Sequence, residues 1–383
     1  MKKKIIRIST VPESLETFCK GQLKWLSVNY NIVAISSPLP ELNIIKEREM
    51  VKTIALNMER HISLVKDLKS LLKMIWVFYK EKPTIVHSMT PKAGLVSMLA
   101  AWICRVPIRM HTYTGLVFPT TTGFKQKILI YMDKLLCFCA TYINPEGRGV
   151  ANDLYNFKIT NKPLHIIGNG NVRGIDLDYW DPILYQNIDT NNENRKKLGI
   201  KSYDFVYLYV GRIVADKGIN ELVHAFKLLK VPNVKLLLVG SYEEKLDPLR
   251  KETYNEIENN NSIIVVGKKK DVRPYYALSN AFVLPSYREG FPNVVLEAGA
   301  MGLPSIVTDI NGSNEIIKNN ENGVIVPTHN YMQLMQKMES FYHNKQECKQ
   351  MGIRSREIVS ERFEQKYIWN ELLKTYKSLI YAK

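Results

Sequence analysis

Two doubly wound α/β domains are what this sequence predicts, and three observations predict them. Short β-branched runs alternate with longer segments of helical period, and the alternation restarts as a second series near Phe205. Between the two series, Asp176–Lys201 is rich in Asp, Asn, Tyr and Pro and lacks apolar periodicity. The 383 residues, 45% of them hydrophobic, are enough for two cores. The expected division is a first domain over 1–175, a linker over 176–201, a second domain over 202–362, and a C-terminal helix over 363–383 that packs back toward the first domain.

In chain order, Met1-Lys-Lys-Lys-Ile-Ile-Arg-Ile has a basic flank but no apolar core with a small-residue cleavage site, so it reads as a first strand (Ile5–Ile8) and not an export signal. Further strands are expected at Ile32–Ile35, Thr84–His87, Val106–Met110, Tyr142–Asn144 and His165–Ile167, with helices at Leu64–Lys80 and Lys125–Phe138. The second series places strands at Phe205–Val210, Val234–Val239, Ser262–Val266, Ala281–Leu284, Pro304–Val307 and Gly323–Val326. Its helices start near Gly218, Pro274, Asn293 and Tyr331. The glycines of Gly168–Gly170 and Gly174 suit a hinge into the linker.

Composition excludes several classes. Five cysteines, odd in number and without C-x-x-C spacing, argue for a reducing compartment and against a zinc site or a disulfide scaffold. The longest apolar stretches, near Leu95–Cys104 and Leu135–Ala140, fall well short of the roughly 20 residues of a membrane-spanning helix. The expected location is therefore cytoplasmic, with no metal and no cofactor. The net charge of +16 is lopsided: residues 1–175 carry 25 Lys and Arg against 11 Asp and Glu, the remainder 28 against 26. Such a surplus points to an anionic partner, nucleic acid or membrane, or simply to a solvated basic face.

Open α/β sheets bind ligands outside the carboxyl ends of their strands, so two such domains are expected to place a ligand in a cleft between them. In the second series, Val210-Gly-Arg-Ile-Val-Ala-Asp-Lys-Gly218 sets Arg212 and Lys217 where a strand turns into a helix, a geometry suited to a diphosphate, although surface cations are the commoner reading of such a pair. Pro285 to Ala300 sets Glu289 in the loop after a strand and Glu297 on the helix opened by Pro292 and Asn293. A loop carboxylate can take bonds from sugar hydroxyls, a helix carboxylate a ribose diol, and the free amides at Asn293–Val295 a phosphate. The small and apolar neighbours of Glu297 speak against a solvated face.

These residues resemble those of the family-4 retaining, nucleotide-sugar-dependent glycosyltransferases of GT-B fold. The likeness is strongest in S-Y-R-E-G-F-P-N-V-V-L-E-A-G-A-M-G-L-P with G-R-I-V-A-D-K-G upstream. It extends to the bacterial surface and capsular polysaccharide branch through I-V-H-S-M-T-P-K-A-G-L (85–95), H-T-Y-T-G-L (111–116) and I-G-N-G-N-V-R-G-I-D (167–176). The resemblance implies that Arg212 and Lys217 clamp the donor diphosphate in place of a metal, that Glu297 holds the ribose, and that Glu289 contacts the transferred sugar beside Gly290, Phe291, Pro292, Asn293 and Val294. It implies catalytic roles for His111, Glu289, Arg212 and Lys217, and acceptor contacts from Lys92 and Thr114. His87 is read as structural. The base, uracil by default, is expected near Gly267–Arg273, where Lys268, Lys269 and Lys270 also fit solvated charge. Where many relatives carry a Gly-Gly turn after the first strand, this chain has Ser9-Thr-Val-Pro-Glu-Ser-Leu15.

The implied reaction moves a sugar from a nucleotide sugar, a UDP-sugar by default, to a polyprenyl-diphosphate-linked glycan. A nucleotide-sugar epimerase is the rival enzyme reading. A nucleic-acid-binding protein is the remote one, lacking basic residues interleaved with aromatics or a helix-turn-helix. The helices Leu64–Lys80 and Phe124–Phe138 mix lysines with apolar residues. That pattern fits either an anchor on an anionic membrane, at the inner face of the cytoplasmic membrane, or a core-covering helix.

Overall fold

The structure is a computed structural model that describes residues 2–59, 63–185, 188–243 and 247–381, the side chains of residues 64 and 188–190 excepted. The chain divides into two units, Met1–Gly174 with Lys366–Lys383, and Ile175–Gln365.

The first unit is built on a six-stranded parallel sheet of β1 (Lys4–Ile8), β2 (Asn31–Ser36), β3 (Lys52–Ala55), β4 (Ile85–Met89), β5 (Ile108–Tyr113) and β6 (Tyr142–Pro145), in the order β3-β2-β1-β4-β5-β6. Helices cover both faces, so the inner strands are buried, and β1, β4 and β5 set Arg7, His87, Ser88, His111 and Thr112 among their apolar residues. The strand order reverses between β1 and β4, the kind of position at which open α/β sheets take ligands. The Gln365–Tyr381 helix returns to this unit and buries Ile368, Trp369, Leu372 and Tyr376. The Trp369 indole N–H donates to the Arg173 carbonyl at 3.1 Å.

The second unit repeats the topology with β7 (Phe205–Val210), β8 (Val234–Val239), β9 (Ile263–Val265), β10 (Ala281–Leu284), β11 (Ser305–Thr308) and β12 (Gly323–Val326), ordered β12-β11-β10-β7-β8-β9 and all parallel. Here the reversal falls between β7 and β10.

Two expectations are corrected, and one strand is additional. Residues 176–201 are not a free linker but part of the second unit. Trp180 is buried with its ring 5.6 Å from that of Tyr276, and Arg195 of the Ile188–Lys197 helix donates to the Leu278 carbonyl at 2.8 Å. Their polar composition reflects a helix whose described side chains hold it by polar contacts, Arg195 together with the Asn191 amide that donates to the Tyr185 carbonyl, ahead of the buried Ile200. His165–Ile167 forms no strand. A single amide bond ties His165 to the Ile143 carbonyl at 3.0 Å, and Gly168, with φ +59°, turns the chain away. The edge strand β3 was not expected, since its four residues, Lys-Thr-Ile-Ala, are exposed or half-buried and show no pattern.

Candidate functional site

The loops leaving β7 and β10, at the reversal, bring together a cluster of charged residues of the second unit. After β7 the chain passes Gly211 and Arg212, makes a single 3₁₀ turn at Ala215–Lys217, and enters the Ile219–Leu228 helix through Gly218. Gly218 has φ +69°, and a Cβ there would lie 2.0 Å from the Pro285 carbonyl oxygen, so this turn sits directly on the loop leaving β10. The two loops are also joined by the Tyr287 amide, which donates to the Asp216 carbonyl at 3.0 Å. On the other side, the β8 loop comes so near that a Cβ on Gly240 would lie 1.7 Å from the Gly211 carbonyl oxygen.

This packing brings Lys217 against Glu289, Nζ to Oε1 2.6 Å, with both side chains largely buried at 15% and 17% exposure. Arg212, more open, donates to Glu243 Oε2 at 2.8 Å. Arg288 reaches Asp216 at 3.2 Å, and the Asp216 amide donates to Asp247 Oδ2 at 2.7 Å. The Tyr209 hydroxyl donates to the Arg212 carbonyl at 2.6 Å and fixes the start of the turn. Burial, with Glu289 and Asp216 adding to it, holds this phenol well above its usual pKa, so it stays a donor. The cations expected to bind a diphosphate are therefore held by carboxylates, one of which, Glu289, was expected to act on a sugar. Glu243 was missed. It stands just beyond the carboxyl end of β8, and that position was the signal that could have found it.

Glu297 lies in the second turn of the Asn293–Ala300 helix with 7% of its surface exposed, 3.5 Å from the Tyr276 hydroxyl, which donates to the Val294 carbonyl at 3.1 Å. The loop before it is tightly held: Phe291 is buried on Phe363, and a Cβ on Gly312 would meet the Gly290 carbonyl at 2.4 Å. Past β9, Lys268, Lys269 and Lys270 face solvent. Arg273 grips Asp271 and lies 3.6 Å over the Tyr179 ring.

In the first unit, β5 continues beyond the expected Met110, which places His111 inside the strand and 1% exposed. Its Nδ1 is 2.8 Å from the Ser88 hydroxyl on the neighbouring strand, and a Cβ on Gly94 would lie 2.4 Å from its Cε1. Only a glycine lets the Pro91–Ile103 helix rest on this imidazole. Burial lowers the His111 pKa to about 3, so the ring is neutral at physiological pH. Thr114 is half-buried just past the strand. Lys92, at the second position of the Pro91–Ile103 helix, is buried and ion-paired with Asp67 at 2.5 Å. At the β1/β4 reversal, Thr10 and Thr90 share a hydroxyl bond of 2.8 Å, and Thr10 Oγ1 accepts from the Ala93 amide at 3.2 Å. The chain leaving β1 enters an α-helix at Pro12, and the short Ser9–Val11 turn before it is held by threonine hydroxyls.

His87 is structural: it bridges the Tyr376 hydroxyl at 2.6 Å and the Thr112 hydroxyl at 2.7 Å, and burial holds its pKa well below the usual value. Among the ionisable groups of this unit that the sequence did not single out are the buried Arg7 and the half-buried Asp133. Arg7, fully buried, donates to Gln22 Oε1 at 2.8 Å and to the Tyr376 hydroxyl at 3.1 Å. Asp133, raised by burial to about 7, accepts from the Tyr113 hydroxyl at 3.3 Å.

Two doubly wound sheets with a charged crevice at a strand reversal define a class, and comparison with known proteins identifies it. Residues 190–358 match the family described as glycosyl transferases group 1. Over 99% of this chain and 98% of the relative, the sequence is 34% identical to the capsular polysaccharide biosynthesis glycosyltransferase CapM of Staphylococcus aureus. The chain belongs to this glycosyltransferase family. It is also 30% identical, over 70% of this chain and 68% of the relative, to the Escherichia coli UDP-Gal:alpha-D-GlcNAc-diphosphoundecaprenol alpha-1,3-galactosyltransferase. Among solved structures, Anabaena HepE in complex with UDP and glucose superposes with a TM-score of 0.84 at 17% identity, covering 98% of this chain and all of that one. The fold is thus GT-B, as expected.

Proposed function

We propose that this glycosyltransferase moves a sugar from a UDP-sugar to a polyprenyl-diphosphate-linked glycan during surface polysaccharide assembly. In this reading it works at the inner face of the cytoplasmic membrane, with retained anomeric configuration and no metal. The observation that carries the donor half is the Lys217–Glu289 pair with Arg212 beside it at the β7/β10 reversal. Both cations stand where a diphosphate would enter, and both are already charge-matched. Donor binding exchanges carboxylate for phosphate: Arg212 leaves Glu243, Lys217 leaves Glu289, and Glu289 is freed toward the sugar hydroxyls.

As the bond from the anomeric carbon to the diphosphate breaks, negative charge grows on the leaving oxygens, and the two cations stabilise it. The acceptor hydroxyl forms the new bond from the same face and passes its proton to the leaving phosphate. Glu297 holds the ribose, and the Gly290–Val294 backbone lines the donor. His111, neutral at pH 7, acts through its hydrogen-bonding nitrogens and not as a cation, while Lys92 and Thr114 serve the acceptor. The diphosphate-linked acceptor of the Escherichia coli relative, by its name, supports a lipid-linked acceptor here. That the named relatives are transferases favours transfer over epimerisation. The basic surplus of the first half then serves a membrane and not nucleic acid.

The test is turnover and calorimetry on single variants, with a panel of nucleotide sugars and a polyprenyl-diphosphate glycan. Arg212→Ala and Lys217→Ala should lose most transfer while remaining folded. Glu297→Ala should weaken UDP binding itself, whereas Glu289→Ala, which frees Lys217, should leave UDP binding at least as tight and lose turnover. Near-normal transfer in both cation variants would sink the donor site, and turnover abolished by EDTA would contradict the metal-free chemistry.

A further inference from the structure

A helix that only covers a sheet has one apolar stripe. The Leu64–Glu81 helix has two. Met74, Val77 and Phe78 are buried in the core, while Val65, Leu68, Leu72, Trp76 and Tyr79, spaced three and four apart, are all more than half exposed. The Gly123–Cys139 helix repeats this: Leu136, Cys137 and Cys139 point inward, and Phe124, Tyr131, Leu135 and Phe138 outward. The Pro91–Ile103 helix packs between them, and its exposed Trp102 lies 6.1 Å from Phe138.

The charges on this layer are one-sided. Seven lysines of the two flanking helices are exposed, and the ammonium groups of Lys80 and Lys134 sit over the rings of Trp76 and Tyr131. The three helices carry three carboxylates, and each is engaged elsewhere: Asp67 with Lys92, Glu81 with Lys4 and Lys52, and Asp133 with Tyr113. Beside the aromatic stripe, Lys66, Lys69 and Lys73 line a hollow of about 310 Å³, with Lys66 paired to Glu59 across it.

We propose that the outer face of this three-helix layer docks on an anionic bilayer. The aromatic and aliphatic side chains enter the interface, and the lysines meet phosphate headgroups. This rests on the membrane-associated reading above and names its surface. Aromatic rings with apolar bodies and lysines with long apolar stems belong at the depth where acyl chains give way to headgroups. A second copy of the same face would set lysine against lysine, whereas an anionic surface complements the lysines other than Lys66, which is paired with Glu59.

The experiment is cosedimentation of the full chain with vesicles of phosphatidylglycerol and phosphatidylcholine, or phosphatidylcholine alone, at low and high salt. The variants are Trp76→Ser/Phe138→Ser and Lys69→Gln/Lys73→Gln, with thermal melting confirming that each stays folded. Wild type should bind anionic vesicles, and a fraction should persist in high salt, where charge is screened. The aromatic variant should lose that resistant fraction, about tenfold or more. The lysine variant should lose roughly fivefold per engaged lysine at low salt. Equal binding by wild type and both variants overturns this face while leaving membrane association standing. No binding by wild type overturns both. A dimer in solution that the aromatic variant dissolves, without vesicle binding, assigns the face to a second copy instead and overturns the proposal.

Discussion

Replacing Gly218 by Ala tests whether the donor crevice is held by the contact between its two loops. At φ +69° an L-residue is disfavoured against glycine by about 1 kcal/mol. The added methyl would also stand 2.0 Å from the Pro285 carbonyl oxygen and 2.7 Å from its carbon. Ordinary contact needs well over an ångström more, and both atoms are backbone at the ends of paired strands, so the loops must part. Overpacking of this kind costs about 1–3 kcal/mol, for a total of about 2–4 kcal/mol. Gly199, with φ +68° and nothing within 4 Å of an added Cβ, is the control in the same unit: Gly199→Ala carries the conformational cost alone, about 1 kcal/mol. Urea unfolding of the two variants side by side measures the difference, and transfer assays show whether parting Lys217 from Glu289 also slows turnover. Should Gly218→Ala destabilise no more than Gly199→Ala, the close approach is not what demands glycine, and the reasoning fails.

Three further predictions follow from individual contacts. Glu243→Gln removes the carboxylate that holds Arg212; because the pair is part-exposed and worth up to about 1 kcal/mol, UDP should bind up to about fivefold tighter by calorimetry, and unchanged or weaker binding would contradict the exchange. His111, with a folded pKa of about 3 against about 6.5 in the unfolded chain, leaves the unfolded state holding more protons between those values. Stability is then complete above about pH 6.5 and falls as pH drops, by up to about 1.4 kcal/mol per pH unit. In urea titrations at pH 7, 6 and 5, His111→Gln should flatten that loss by one proton, and an unchanged slope would show that the imidazole does not titrate as described. Tyr376→Phe strips Arg7 and His87 of a shared buried partner and should cost about 1–3 kcal/mol in unfolding free energy; a loss under about 0.5 kcal/mol would mean that water replaces the hydroxyl.

The parts of the fold visible in the sequence were those that local pattern determines. The six strands of the second series, and the Asn293 helix opened by Pro292, needed only apolar runs and a start signal within a few residues. The parts that stayed hidden depend on partners far along the chain. Lys217 and Glu289 are 72 residues apart, and Thr10 and Thr90 are 80 apart; each pair meets only because the strand order reverses at that point. The burial of His111 is set by Gly94 on another element. For the Leu64–Glu81 helix, periodicity registered apolar residues on both faces and had no means of telling which one the sheet would take. The charge surplus was plain in the sequence, but its confinement opposite engaged carboxylates required coordinates.

The Gln365–Tyr381 helix belongs, from Lys366 onward, to the first unit, although the second unit precedes it in the chain. During vectorial synthesis at roughly 5–20 residues per second, the first 174 residues wait on the order of ten seconds or more before that helix leaves the ribosome. Until then the Arg7 guanidinium and the His87 ring lack the Tyr376 hydroxyl, and Trp25 lacks its neighbour Trp369. The later-made unit can close first, and the earlier-made one is sealed last, by a segment nearly 200 residues downstream. Nascent chains halted before Gln365 should therefore carry an unfinished first unit that proteases open and chaperones retain.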